Sequence, residues 1–240
     1  MAMRIGTSGW SYEHWKGRFY PDSLAKSHWF DFYAQHFNTV EVNATFYRRF
    51  ADRTYHKWRE QAPEGFRYVL KAPRLITHRH RLQHVADLIA DFCRSFRLLE
   101  EKSGLMLVQL PANLPYDPQR LQTALHCFDD PSRVVVEFRH PQWLTPEVFS
   151  LLENLGAGYC NPDSPEHQLS GLLSGRYGYL RLHGRRQWYA DNYRQGELRS
   201  IAKTARQLQA QGAQEVFIFF NNDFEGYAPA NAAALLQLLR

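Results

Sequence analysis

In Thr39-Val40-Glu41-Val42-Asn43 polar side chains alternate with valines. Successive side chains of an extended segment point to opposite faces, so Val40 and Val42 share one face and Thr39, Glu41 and Asn43 the other. The same period puts Lys71 in register with Val69, Gln109 with Leu107, Glu137 and Arg139 with Val135, Arg181 and His183 with Tyr179, and Asn221 with Phe219. Each ionisable or amide group stands at the C-terminal end of its run. Two carboxylates in different surroundings can divide acid and base roles, and a lysine or arginine beside one of them keeps it ionised. Glu41 and Glu137 are therefore the candidate acid/base pair, with Lys71 and His183 as further catalytic groups; His183 fits a satisfied core histidine equally well. Carboxylates about 5 Å apart would suit a retaining glycosidase, and about 6.5–9.5 Å an inverting one. The bland alternative is an internal ion-pair network in which Glu41, Glu137, Lys71, Arg139, Arg181 and His183 satisfy one another without chemistry.

The runs that carry these groups predict eight strands: Met3 to Gly6, Thr39 to Asn43, Phe66 to Lys71, Leu105 to Leu110, Val134 to Phe138, Ala157 to Cys160, Gly178 to His183 and Val216 to Phe220. Helical patterns fall between them at 28–36, 53–61, 84–101, 118–127, 145–154, 197–211 and 229–239, with only a poor candidate between the sixth and seventh strands. Strand-helix alternation implies right-handed βαβ units and a parallel sheet. Eight units in 240 residues predict an α/β fold, a single (β/α)8 TIM-type barrel over residues 1–240, rather than a doubly wound sheet. In such a barrel the C-terminal strand ends build the site, which is where the polar groups stand.

The loops leaving those strand ends are rich in aromatics, among them Trp10, Tyr12, Trp15, Phe19, Tyr20, Phe46, Tyr47, Trp143, Trp188, Tyr189, Tyr193, Phe224 and Tyr227. Flat rings beside Arg74, Arg79, Arg81, Arg185 and Arg186 can stack a sugar or base while guanidinium groups hold phosphate. Trp10, Tyr47 and Trp188 are expected to touch ligand, whereas Phe19, Phe46 and Phe224 are expected to pack a lid. Ser8, Asn43, Gln109, Arg139, Trp143, Arg181 and Asn221 complete the expected substrate contacts. Glu41, Glu137, His183 and Asp223 are the possible ligands of a divalent ion, but Lys71, Arg139 and Arg181 on neighbouring strand ends oppose a cation and favour an anion. The expected site therefore holds no metal and no cofactor. His78-Arg79-His80 reads as solvated or anion-binding surface. Asn221-Asn222-Asp223 with Glu225-Gly226 lacks the alternate acidic ligands of a calcium loop.

Hydrophobic residues at 44% and charged residues at 22% exclude a disordered or low-complexity chain. The net charge of +5 permits an anionic partner without demanding nucleic acid. No apolar stretch approaches the roughly 20 residues of a membrane helix, and no apolar segment near the N-terminus reads as a secretory signal. Three dispersed cysteines fit a reducing compartment, so a cytoplasmic protein with no membrane partner is expected.

Six ordered motifs carry a resemblance: Ile-Gly-Thr-Ser-Gly-Trp-Ser-Tyr (5–12), Phe-Asn-Thr-Val-Glu-Val-Asn-Ala-Thr-Phe-Tyr (37–47), Lys-Ala-Pro-Arg-Leu-Ile-Thr-His (71–78), Val-Glu-Phe-Arg-His-Pro-Gln-Trp (136–143), Tyr-Leu-Arg-Leu-His-Gly (179–184) and Phe-Asn-Asn-Asp-Phe-Glu-Gly-Tyr-Ala-Pro-Ala-Asn-Ala (220–232). Together they resemble the DUF72 family, the YecE-like proteins, over essentially the whole chain. The resemblance implies a TIM-type barrel of bacterial and archaeal cytoplasmic proteins and no particular reaction. Ala112 stands where the family usually repeats proline, a departure confined to the turn after the fourth strand. The expected activity is acid/base chemistry, as a hydrolase or lyase, on a small anionic or sugar-containing substrate. The rivals are a metal-dependent endonuclease-like phosphodiesterase that binds nucleic acid and a non-catalytic small-molecule sensor.

Overall fold

Short runs of β-branched and aromatic residues, bounded by Gly, Pro and Asn, become the strands of the computed structural model, which describes residues 2–239. The strands are β1 (Ala2–Thr7), β2 (Thr39–Val42), β3 (Arg67–Lys71), β4 (Ser103–Gln109), β5 (Val134–Glu137), β6 (Gly158–Asp163), β7 (Tyr177–Leu182) and β8 (Glu215–Phe220). They pair in parallel in the order β1-β8-β7-β6-β5-β4-β3-β2, the expected (β/α)8 barrel. Around it lie α1 (Trp29–His36), α2 (Ala44–Tyr47), α3 (Asp52–Gln61), α4 (Ala86–Arg97), α5 (Pro118–Leu125), α6 (Pro146–Leu155), α7 (Gln195–Ala210) and α8 (Tyr227–Leu239). Two starts follow from local chemistry: Asp117 and Thr145 accept the backbone N–H groups of Arg120 and Val148, and a proline follows each cap.

The strand parity read from sequence sorts the side chains into two cores. Val40, Val42, Val134, Val136, Val216 and Ile218 pack outward against the helices, while Val69, Leu105, Leu107, Val135, Cys160, Tyr179, Phe217 and Phe219 fill the barrel. Arg4 pairs with Glu215 below this filling, at the N-terminal ends of β1 and β8. Above it, at the C-terminal ends, lie the charged groups described below.

The sixth strand, expected to stop at Cys160, continues to Asp163. Its last residues are polar or proline, so no apolar alternation marks them; pairing with β7 extends them, Pro162 opposite Arg181 and Asp163 opposite Leu182. The connection to β7 has no helix, and the outward Asn161 side chain stabilises it instead, donating to Leu172 O at 2.9 Å and accepting from Ser170 Oγ at 2.7 Å. Helix α2 and a wide helical turn at Leu75–Arg79 were not legible in the sequence, the latter lying in the stretch expected as loop.

The β1–β2 seam closes in an unusual way. Tyr33 of α1 inserts its hydroxyl between the strands, accepting from Thr7 N and donating to Thr39 O, both at 2.9 Å. Asn38 does likewise lower down, accepting from Ile5 N and donating to Met3 O at 3.1 Å each. Direct backbone contact resumes only at the top, where Gly9 N donates to Glu41 O at 2.8 Å. Gly6 permits this approach, since a Cβ there would lie 2.1 Å from Thr39 O. No helix among the described residues is long and apolar enough to cross a membrane.

The Tyr33 hydroxyl thus satisfies a buried donor and a buried acceptor that have no other partner across the seam. Tyr33→Phe leaves both unpaired, and each such group costs roughly 1–3 kcal/mol. The expected loss is about 2–4 kcal/mol in urea unfolding; a change below about 0.5 kcal/mol would mean that the strands pair directly once the hydroxyl is gone.

Candidate active site

Arg181 is the last inward residue of β7 and is fully buried. A charged side chain there must be paired, because burying an unpaired ion costs several kcal/mol. Its Nε and Nη2 donate to Glu41 on β2 at 2.8–3.0 Å, and its Nη1 donates to Glu137 Oε2 on β5 at 3.0 Å. Glu41 also accepts from Ser8 Oγ at 2.7 Å and from Tyr179 Oη at 2.6 Å. Burial alone would raise the Glu41 carboxyl, but Arg181 and these donors hold it below its ordinary value. The expected pair thus meets at the barrel axis, as parity requires, yet the guanidinium stands between the two carboxylates. The space a glycosidic oxygen or attacking water needs between them is occupied.

Glu137 is held further down: burial opposes it, and Arg139, Arg181 and His183 prevail. Arg139 Nε forms an ion contact of 2.7 Å with Glu137 Oε1, although its N–H finds no aligned acceptor. His183 bridges Glu137 and Asn221, its Nε2 lying 3.2 Å from Glu137 Oε1 and its Nδ1 3.0 Å from Asn221 Nδ2. A neutral ring with its proton on Nε2 serves both contacts and leaves Arg139 Nη2, 3.1 Å from that nitrogen, without an acceptor there. Burial depresses the imidazole to about 3 even against Glu137, and the Arg139 and Arg181 guanidinium groups push the same way. Neutral His183 is therefore a satisfied part of the framework. Gly184 beside it turns at φ 103°, where a Cβ would meet Gln187 O at 2.5 Å, and the turn lays Trp188 over Arg139, 4.7 Å from guanidinium to ring.

Lys71, at the end of β3, differs from the other charged groups. Its Nζ donates to Gln109 Oε1 at 2.7 Å and lies 4.2 Å above the Phe46 ring. Among the described residues no carboxylate is ion-paired with it. Burial, then the Arg181 guanidinium, push the ammonium down to about 7 despite Glu137 and Glu41. An amine at this value exchanges protons near neutrality. Lys71 and Arg139 lie at the solvent edge of the cluster, with Asn43, Gln109, Asn221 and Trp188 half-buried around them.

The other expected contacts fall elsewhere. Ser8 is buried and bound to Glu41. Trp143 is buried in the outer core, stacked on Phe138 with its indole N–H toward Leu114 O, because it follows the outward side of β5. Trp10 packs edge-on against Phe30 and Trp58 and lines a groove of about 480 Å³ beside the barrel. Tyr47 is 71% exposed, next to an apolar cavity of about 120 Å³ between α2, α3 and α4. Asp223, weighed as a metal ligand, instead accepts from Trp15 Nε1 and pairs with His14. The lone pairs of Glu41 and Glu137 face Arg181, so these donors do not converge on a cation; among the described residues no three His, Cys, Asp or Glu side chains do. Of the loop arginines, Arg185 pairs with Asp163 and Arg186 with Asp191 and Glu197, which leaves fewer for an extended polyanion. Tyr179 was missed in the sequence as a site residue: its aromatic side chain read as barrel filling, and only the tertiary contact gives its hydroxyl a role.

Comparison with known proteins gives one consistent answer. The model of the family described as "Protein of unknown function DUF72" matches residues 4–240. The UPF0759 protein YecE of Escherichia coli K12 is 34% identical over 142 residues, 58% of this chain and 49% of that relative, so the match spans about half of YecE. The UPF0759 protein YunF of Bacillus subtilis is 26% identical over 98% of this chain and 94% of its own. A crystal structure of a DUF72 family protein from Thermotoga maritima superposes with a TM-score of 0.90 at 26% identity, covering 100% of this chain and 99% of that one. One from Enterococcus faecalis, at 22% identity with a TM-score of 0.85 over 99% and 95% of the two chains, shares the fold.

Arg181→Met removes the partner of two buried carboxylates and is expected to destabilise by about 3–5 kcal/mol at pH 7. The penalty should shrink toward pH 4. Without the guanidinium, burial raises the Glu41 carboxyl, while Glu137 keeps Arg139, so the variant escapes its unpaired Glu41 charge by protonation. The parent meanwhile loses stability: its carboxyl values are depressed, and the unfolded chain protonates His183 between about 6.5 and 3 while the folded ring stays neutral. Urea unfolding at both pH values checks this, and a penalty that is constant or larger in acid would refute it.

Proposed function

The chain belongs to the DUF72 family of proteins of unknown function, and from the charges at its barrel mouth we propose that it is an acid/base enzyme, a hydrolase or lyase, acting on a small substrate that bears a carboxylate or phosphate. The observation that carries this reading is an imbalance: Lys71, Arg139 and Arg181 face only Glu41 and Glu137. Arg181 bonds both carboxylates through all three of its nitrogens, but Arg139 does not. Among the described residues its Nη1 has no hydrogen-bonded acceptor, its Nη2 faces the protonated Nε2 of His183, and its Nε–H is unaligned. A partly desolvated guanidinium with open donors favours an anion, bound by charge-assisted hydrogen bonds.

In this reading Arg139 binds the anionic group and Trp188 flanks it, offering a ring face to a sugar or other flat portion. Lys71 moves the proton. Glu137 and His183 are positioning residues, since they fix Arg139 through the 2.7 Å ion contact and the shared Glu137 oxygen. Glu41 supplies fixed negative charge beneath them. Asn43, Gln109 and Asn221 offer amides around the same opening for the uncharged parts of the substrate.

Titration with inorganic phosphate, oxalate and sugar phosphates, followed by tryptophan fluorescence and calorimetry, tests the reading. At least one of these anions should bind. Arg139→Gln should weaken that binding by about ten- to a hundredfold, the range for losing a hydrogen bond to a charged group. Arg199→Gln, on the exposed face of α7, should leave it unchanged. No binding of any of these anions, or binding indifferent to Arg139→Gln, would overturn the assignment.

A further inference from the structure

The Lys71 amine has a geometry that proton transfer alone does not require. It ends a rigid strand, its neutral acceptor is the Gln109 carbonyl oxygen at 2.7 Å, and the Phe46 ring covers one side at 4.2 Å. Glu41 faces it from β2, Glu137 and Arg139 from the β5 end, Arg181 from β7 and His78 from the loop after β3. Burial between the Phe46 ring and the Gln109 amide, then the Arg181 guanidinium, and last Arg139, favour the uncharged amine against Glu137 and Glu41. That is the environment that makes a lysine a nucleophile toward carbonyl carbon. The open donors of Arg139 belong to the same mouth.

Resting on the anion-site reading above and naming its substrate class, we infer that Lys71 forms an iminium with an aldehyde or ketone that carries a carboxylate or phosphate. The amine lone pair attacks the carbonyl carbon, a C–N bond forms, and the C=O π pair moves to oxygen. That oxygen takes both amine protons and leaves as water; one proton from the solvent at the mouth converts the imine to the iminium. The cation then accepts the electron pair of the bond from its α-carbon to a hydrogen or to a hydroxyl-bearing carbon as that bond breaks, giving an enamine. The proton passes to solvent at the mouth, or the hydroxyl-bearing carbon leaves as an aldehyde while its hydroxyl proton passes to solvent. Reprotonation and hydrolysis of the enamine free Lys71, so lyase chemistry follows and no external oxidant or reductant is consumed. Arg139 holds the anionic end, and the Phe46 face shields the C–N bond from water.

The test is reductive trapping on the full chain. Glyoxylate and glycolaldehyde phosphate, the smallest carbonyl probes with each anionic group, are incubated separately at pH 7 with cyanoborohydride, and the adducts are mapped by peptide mass spectrometry. With at least one probe, Lys71 should be modified about tenfold or more faster than the exposed Lys26 and Lys57, with a rate that rises through a midpoint near pH 7 rather than near the ordinary lysine value of 10.5. Arg139→Gln should slow the Lys71 adduct by about tenfold and leave the Lys26 adduct unchanged. Lys71 labelling no faster than Lys26 with both probes, while phosphate or oxalate still binds in an Arg139-dependent way, would overturn the iminium and leave the anion site standing. Loss of both signals would overturn both.

Discussion

The Arg181 guanidinium lies between Glu41 and Glu137, and the other charged groups of the mouth take their positions or their ionisation from that contact. Three ions removed from water are unfavourable by several kcal/mol each unless their hydrogen-bonding capacity is met. Here it is met by shape: a planar fork engages one carboxylate through Nε and Nη2 and the other through Nη1. A lysine, with one point of charge, could not span β2 and β5 at once. Tyr179 and Ser8 satisfy what remains of Glu41, and His183 and Arg139 share Glu137.

This contact also bears on how the barrel closes. Between β1 and β2 the backbone ladder is replaced by the Tyr33 hydroxyl and the Asn38 amide, and direct contact returns only where Gly9 and Ser8 reach Glu41. The carboxylate that anchors Arg181 therefore also ties the top of the seam. A slip of β2 by one residue would turn Glu41 into the apolar outer core and Val40 or Val42 onto Arg181, so the ion cluster penalises the wrong register far more than a valine-lined interior would. Closure of the sheet and assembly of the mouth are one constraint.

How much of this was legible in the sequence depended on range. Period-2 alternation in Thr39–Asn43 and Val134–Arg139 revealed which groups face the axis, because strand parity is local. Short β-branched or aliphatic runs and the helical patterns between them likewise placed the eight strands and most helix boundaries to within two residues. The alternation failed at Asn161-Pro162-Asp163, where pairing with β7 rather than side-chain pattern makes the strand. Roles were less legible than positions. Glu41 and Glu137 read as an acid/base pair because nothing local says that a residue 140 positions away will fill the space between them. Trp10 and Trp143 follow strand ends, as site residues do, but each packs sideways into a groove or the outer core, and only tertiary contacts distinguish the two outcomes.

The division of labour at the mouth follows from these depths. A carboxylate saturated by arginine is a poor proton carrier at neutral pH, since its depressed value makes it a weak base and leaves almost no acid form. Two such groups at the axis therefore act as fixed charge, and they make a buried arginine tolerable. Burial, and then Arg181, raise the free energy of a second cation here, and Lys71, with only an amide and the Phe46 ring as partners, is left with an ammonium that exchanges its proton near neutrality. The depressed Lys71 amine is thus the far end of a chain of electrostatic consequences. The carboxylates hold the arginine, burial and the arginine depress the lysine, and among the described charged groups of the mouth Lys71 and Arg139 keep donors unmatched by a carboxylate.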